Sequence, residues 1–437
     1  MIFSTLSTPF MRHTVEEITL KNGGRGLLID VPDATVMSFQ FYFRAGSRLT
    51  KKPEIYETAH IMEHMAFGAN SQFKDEHAFE AEFTKNGAYH NASTSDYGME
   101  YVASCADFEW DRILDLQRFS IATPKFNSDE LEAEKGNVRS ELTGYLNVYN
   151  RVLWPKLQQV SGESVMTYQQ RLRTIPHISL ADIREHYRRT HTSQNFRFVI
   201  AGTLHGRKAS IKRQLEQWEL HEGTRIELPD DEYVHPHKPT LIRRKEAPNL
   251  TFGWTNILNR KINDKESDAL SALDHILTGT MYSKIYGAAR KKGLAYGVWS
   301  DYNVGHMSTS WDFGGEVNVD KSEELFDIIV RELRAALKGE ITVKELETVK
   351  QYFLGRFQMG AQTVGQIAGF YSGRYFSDGF IKDYERVPEF IQNISVERIV
   401  QIAREFIAAH TWVLGGVSAM EREQLDMLHE KLSTIFT

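Results

Sequence analysis

The chain has 437 residues, 41% of them hydrophobic and 25% charged, with a formal net charge of −6. This is the composition of a globular protein long enough for two to four domains, and no basic stripe interleaved with aromatics suggests a nucleic-acid partner. The single cysteine, Cys105, excludes an intrachain disulfide framework, and no run of about 18 apolar residues offers a membrane-spanning helix.

From the N-terminus, residues 1–10 lack both a basic region and a clean apolar core, so no signal peptide is read there and a reducing cytoplasmic location is expected. Val36–Phe43 reads as a strand. Next comes His60-Ile-Met-Glu63-His64 in a helical context, with Ile55, Ala59, Met62 and Ala66 repeating at helical spacing and Gly68 as a stop. On a helix, His60 and His64 sit one turn apart and point the same way, so they can grip one Zn²⁺ while Glu63 acts on water. A turn at Asn86-Gly87-Ala88 opens a polar strand through His90, Asn91 and Ala92 to Asp96. Such a strand at a sheet edge can pair with an extended peptide. Cys105 reads as a small core residue in a strand.

Asn127 or Ser128 can cap a helix whose first turn is acidic. Glu134 and Glu141 lie two turns apart along one of its faces, so that one could bind the metal and the other could orient a ligand. A helix at Ala181–Thr190 leads to an apolar strand at Phe196–Gly202. Residues 227–249, with Pro229, Pro236, Pro239 and Pro248, read as a linker between an N-terminal half (1–226) and a C-terminal half (250–437).

The second half follows the plan of the first. Leu250–Trp254 precedes a helix from near Ser267 to Leu277. Laying Glu63-His64 on Asp274-His275 puts His60 opposite Ser271, Glu134 opposite Val349 and Glu141 opposite Arg356. A last helix at Val396–Ala408 and strand at Thr411–Gly416 match the close of the first half. The pattern is an internal duplication in which only the first copy carries the ligands. Strands beside runs of helices indicate an α+β fold, with helices on one face of a mostly antiparallel sheet in each half.

HxxEH followed after 76 residues by Glu141 resembles the inverted-zincin signature of the M16 (pitrilysin-like) metallopeptidases. That resemblance implies one Zn²⁺ per chain held by His60, His64 and Glu141. It makes Glu63 the general base and Glu134 the residue that orients a ligand. It also implies two homologous α+β halves facing each other like a clamshell. Asn91 and Ala92 match the family strand that holds the substrate backbone, and Arg290 and Tyr296 match its arginine–tyrosine pair. Here those two are six positions apart, where the family separates them by seven. The implied activity is zinc-dependent endopeptidase action on short or unfolded polypeptides, with peptide as the partner and neither nucleic acid nor membrane. The resemblance further implies a homodimer. The alternatives are a non-catalytic chain or a partner-dependent subunit of a heterodimer.

Overall fold

A computed structural model describes residues 11–436. Among the described residues, eleven strands form two sheets. The first contains β1 (Thr14–Thr19), β2 (Arg25–Asp30), β3 (Val36–Phe43), β4 (Tyr89–Thr94), β5 (Met99–Ala106) and β6 (Arg197–Gly202), in the order β1-β2-β6-β3-β5-β4. The second contains β7 (Thr240–Arg243), β8 (Asn249–Leu258), β9 (Ala295–Val304), β10 (Thr309–Asn318) and β11 (Trp412–Ser418), in the order β7-β11-β8-β10-β9.

Leaving β1 aside, the two orders are the same. Each sheet has one parallel pair, β2 with β6 and β7 with β11, and is otherwise antiparallel. The duplication read from a few residues is therefore present strand by strand, and the chain consists of two homologous α+β halves. The linker read at 227–249 is corrected in one respect. It contains β7, whose Leu241 and Ile242 pair with Gly416 and Val417. The prolines around it had masked a four-residue edge strand.

Alternation along β3 separates two faces. Phe39, Phe41 and Phe43 point into the main core. There the Phe41 ring lies 5.0 Å from Trp218 and 5.9 Å from Phe196. Cys105 is buried on β5, as expected of a small core residue. In the second half Trp254, Trp311 and Phe313 occupy the equivalent layer, with Trp254 stacked on Phe313 at 4.4 Å.

The chain divides into two compact units that exchange segments. One unit takes the chain to Thr143, together with Gln169–Leu228 and Phe357–Lys382; the other takes Gly144–Tyr168, Pro229–Arg356 and Asp383 to the end. Each exchanged segment supplies a helix to the second face of a sheet. In the first unit the helix Val364–Asp378 packs on β3 and β6, stacking Phe376 on Tyr42 at 5.1 Å. In the second unit the helix Tyr149–Val160 packs on β8 and β11, where Leu153 and Leu157 meet Val413 and Val417. Gly253 and Gly415 make that approach possible: a Cβ at Gly415 would stand 2.5 Å from Leu157.

Candidate metal centre

Two helices build the centre, and all of its ligand residues lie in the first unit. The metal helix, Thr58–Met65, buries Ala59, Ile61, Met62 and Met65 almost completely. Of the stripe read from the sequence, Ala59, Met62 and Ala66 are buried and Ile55 is half-buried, while Ile61 and Met65 extend the burial round the helix, which fixes its rotation. The glutamate helix, Ser128–Tyr145, is capped by Asn127, whose Oδ1 accepts from the Glu130 N–H at 2.9 Å. It packs through Leu131, Val138 and Leu142. Gly68 does more than end the metal helix, because a Cβ there would come within 2.8 Å of the Glu130 carboxylate, so the glycine lets the two elements close on each other.

These constraints bring His60, His64 and Glu141 together, with one donor atom from each lying within 4.8 Å of the other two. Glu141 Oε2 is 3.4 Å from His60 Nε2 and 3.8 Å from His64 Nε2. Tetrahedral zinc with bonds near 2.0–2.1 Å would hold neighbouring donors roughly 3.3 Å apart, so the set fits that ion with little movement.

Both imidazoles are oriented from behind. His60 Nδ1 lies 3.0 Å from Glu57 Oε2, and His64 Nδ1 lies 2.9 Å from Glu134 Oε2. A carboxylate only accepts, so each Nδ1 carries the proton and each Nε2 lone pair is turned to the metal position. Asn137 donates to both oxygens of Glu134 (3.2 and 3.1 Å). The hydrogen bond from His64 holds its carboxyl below the ordinary range.

Glu57 stands at the N-cap of the metal helix. It is fully buried and is gripped by Arg171, with Nε to Oε1 at 2.5 Å and Nη2 to Oε2 at 3.0 Å. Burial opposes its charge, but His60 and Arg171 together hold the carboxyl below its ordinary range. Its place three residues before His60 was a usable signal, since that spacing puts both on one helix face. Nothing local marks Arg171. Burial also opposes a charge on His60, yet Glu141 and Glu57 prevail and raise its pKa to about 9.

Glu63 is 9% exposed, and its Oε2 is buried without a hydrogen-bond partner. An orphaned carboxylate oxygen costs stability, and its presence beside three converging ligands marks a group kept for something absent from the folded chain alone.

Asn91 and Ala92 lie on β4, the edge of the first sheet, opposite Val102 and Tyr101 of β5. The metal helix packs against this strand. Asn91 is exposed, and its Oδ1 accepts from the Ala92 N–H at 2.9 Å. His90 is tied to Glu80 at 2.6 Å and lies outside the ligand group. Arg290 and Tyr296 belong to the other unit. Despite the shortened spacing they meet there, the guanidinium standing 4.7 Å from the centre of the Tyr296 ring, and Tyr296 is 85% exposed on the edge strand β9. No helix among the described residues is long and apolar enough to cross a membrane.

Residues 27–160 match the family model described as Insulinase (Peptidase family M16), and residues 177–353 match the one described as Peptidase M16 inactive domain. Among curated proteins, the chain is 23% identical over 403 residues to an uncharacterized zinc protease, YmxG, of Bacillus subtilis (strain 168), covering 90% of this chain and 95% of that one. It is 23% identical over 422 residues to the zinc protease PqqE of Helicobacter pylori, covering 90% of each. Its fold is similar to that of a protease from Helicobacter pylori (TM-score 0.80, 19% identity, 94% of this chain and 100% of that one). It is also similar to a peptidase M16 inactive domain from Pseudomonas fluorescens (TM-score 0.81, 17% identity, 93% and 99%). Ligand geometry, duplicated sheets and both family models agree: this chain belongs to peptidase family M16.

Proposed function

We propose that the protein is a zinc-dependent endopeptidase that hydrolyses peptide bonds in short or unfolded polypeptides, with one zinc per chain. The observation that carries this reading is the convergence of His60, His64 and Glu141 at zinc-ligand spacing beside Glu63, whose buried oxygen has no other partner. When bound, zinc supplies the Lewis acidity that makes water nucleophilic near neutral pH and polarises a carbonyl. Glu63 accepts the proton of the attacking water and returns it to the leaving amine nitrogen. Glu134 and Glu57 keep the two imidazoles in the tautomer that leaves Nε2 unprotonated. β4 offers its open edge, at Asn91 and Ala92, to the backbone of an extended peptide, and an edge of this kind selects chains that are not folded. Arg290 and Tyr296, stacked on one another, contribute to substrate binding from their own unit.

The test is Glu63→Gln, which keeps the shape and removes the base. Hydrolysis of a quenched peptide should fall by about 10² to 10⁴ with zinc content unchanged. A variant that cleaves at the wild-type rate would remove Glu63 from the chemistry. A wild-type chain that binds zinc and cleaves only when a second, different chain is added would favour the partner-dependent reading.

A further inference from the structure

The first unit carries a second concave site. A cavity of about 630 Å³ opens in the first unit, lined by Lys125, Arg184, Arg188, His221, Phe126 and Tyr187 among others, with no acidic residue in its lining. That volume lies within the range of small-molecule sites. The floor is aromatic: Phe126 meets Tyr187 edge-on at 5.3 Å, and Tyr187 meets His221 edge-on at 5.9 Å. Tyr187 is locked in place because its hydroxyl donates to the Ile121 carbonyl at 2.8 Å.

The rim is cationic and largely unpaired. Arg184 uses one nitrogen, Nη2, to donate to the Phe126 carbonyl at 2.7 Å, which fixes its fork at the cavity wall. Among the described residues the Lys125 ammonium and the Arg188 guanidinium form no hydrogen bond or close ion pair, and the acidic neighbour of Arg188, Glu185, is itself paired with Lys51. Three exposed basic side chains border one aromatic floor with no carboxylate on the lining, so the local field there favours an anion. Guanidinium forks suit the flat faces of phosphate and carboxylate, and two forks with an ammonium favour the more highly charged phosphate.

We infer that this cavity is a binding site for a small molecule with a flat aromatic body and a phosphate monoester, the ring lying on Tyr187 and Phe126 and the phosphate held by Lys125, Arg184 and Arg188. The site also has a position of consequence. Its wall includes Ala69, in the loop that leaves the metal helix, and Asn127, the cap of the glutamate helix. That seam is tied by the Lys125 N–H to the Ala69 carbonyl at 2.7 Å and by the Ala69 N–H to Glu130 at 2.8 Å. The inference does not depend on zinc or on peptidase activity.

Isothermal titration of the full chain with phenyl phosphate tests it. Saturable binding of one molecule per chain is expected. Inorganic phosphate, which lacks the ring, and benzyl alcohol, which lacks the charge, should each bind at least about tenfold more weakly. Benzoate separates the two anion classes and should fall between benzyl alcohol and phenyl phosphate. Lys125→Gln/Arg188→Gln should weaken phenyl phosphate at least about tenfold without moving the unfolding midpoint, because both side chains are exposed. Tyr187→Leu should reduce the preference for phenyl phosphate over inorganic phosphate. Absence of saturable binding, equal affinity in the Lys125/Arg188 variant, or benzyl alcohol binding as tightly as phenyl phosphate would overturn the assignment.

Discussion

In the first half the helix after β3 presents His60, Glu63 and His64; in the second, the helix after β8 and its short π-turn extension present Ser271, Asp274 and His275 in the same register. The surroundings match as closely as the sheets do. Leu131 and Leu346, opposite one another on the paired helices, are both buried. The chemistry does not match. Where His64 meets Glu134, His275 stacks on Tyr352 at 4.1 Å, and Val349 stands buried in place of Glu134. Where His60 is backed by Glu57, Ser271 Oγ donates to the Tyr302 hydroxyl at 3.0 Å. Asp274 keeps a buried carboxyl, but its Oδ1 accepts from Trp311 Nε1 at 2.8 Å. One scaffold thus supports either a ligand cluster or an aromatic core, and the difference lies in a few side chains on two helices rather than in the fold.

The sharpest break in that comparison is at Glu57 and Arg171, the charged pair that backs His60 in the first half. Arg171→Met leaves a buried carboxylate with a single imidazole partner. A loss on the order of 3 kcal/mol is expected in denaturant unfolding, together with a 10- to 100-fold weaker zinc affinity in a chelator competition. An unchanged zinc affinity would mean that the pair holds the fold and not the site.

Asp274 tests the other side. Burial is the main cause that lifts its pKa from the ordinary 3.8 to about 7. The native state therefore binds a proton that the unfolded chain has released, and stability falls as pH rises from about 4 to about 7 and then levels. Asp274→Asn keeps an acceptor for Trp311 and removes the charge. It should stabilise the protein at pH 8, by on the order of 4 kcal/mol at most, and change little at pH 4. A stability gain of the same size at both pH values would contradict a buried, protonatable Asp274. The smallest effect is expected at the exchanged helix. Gly415→Ala pushes a methyl group against Leu157 and the Thr240 carbonyl, and should cost about 1–3 kcal/mol in unfolding measurements with zinc content unaffected.

Much of this was legible in the chain. Strong periodicity and short-range spacing carried β3, the metal helix and the glutamate helix, whereas the orienting role of Glu134 came from the family resemblance and its partner, His64, from the structure. The repeat needed only a few aligned residues, because identical strand orders follow from a shared hydrophobic pattern. What escaped reading was non-local. Arg171 reaches Glu57 across more than a hundred residues, β7 is a four-residue edge hidden among prolines, and the two exchanged helices look in sequence like ordinary members of their own halves. The cationic cavity draws its walls from residues 69 to 221, so no single stretch announces it.

The central claim is that the first half binds the metal and the second does not. Native mass spectrometry of metal-stripped protein after zinc is returned measures this directly. One zinc per chain is predicted, abolished by His64→Ala and unchanged by His275→Ala. Two zinc ions per chain, none, or loss on changing His275 would contradict the account.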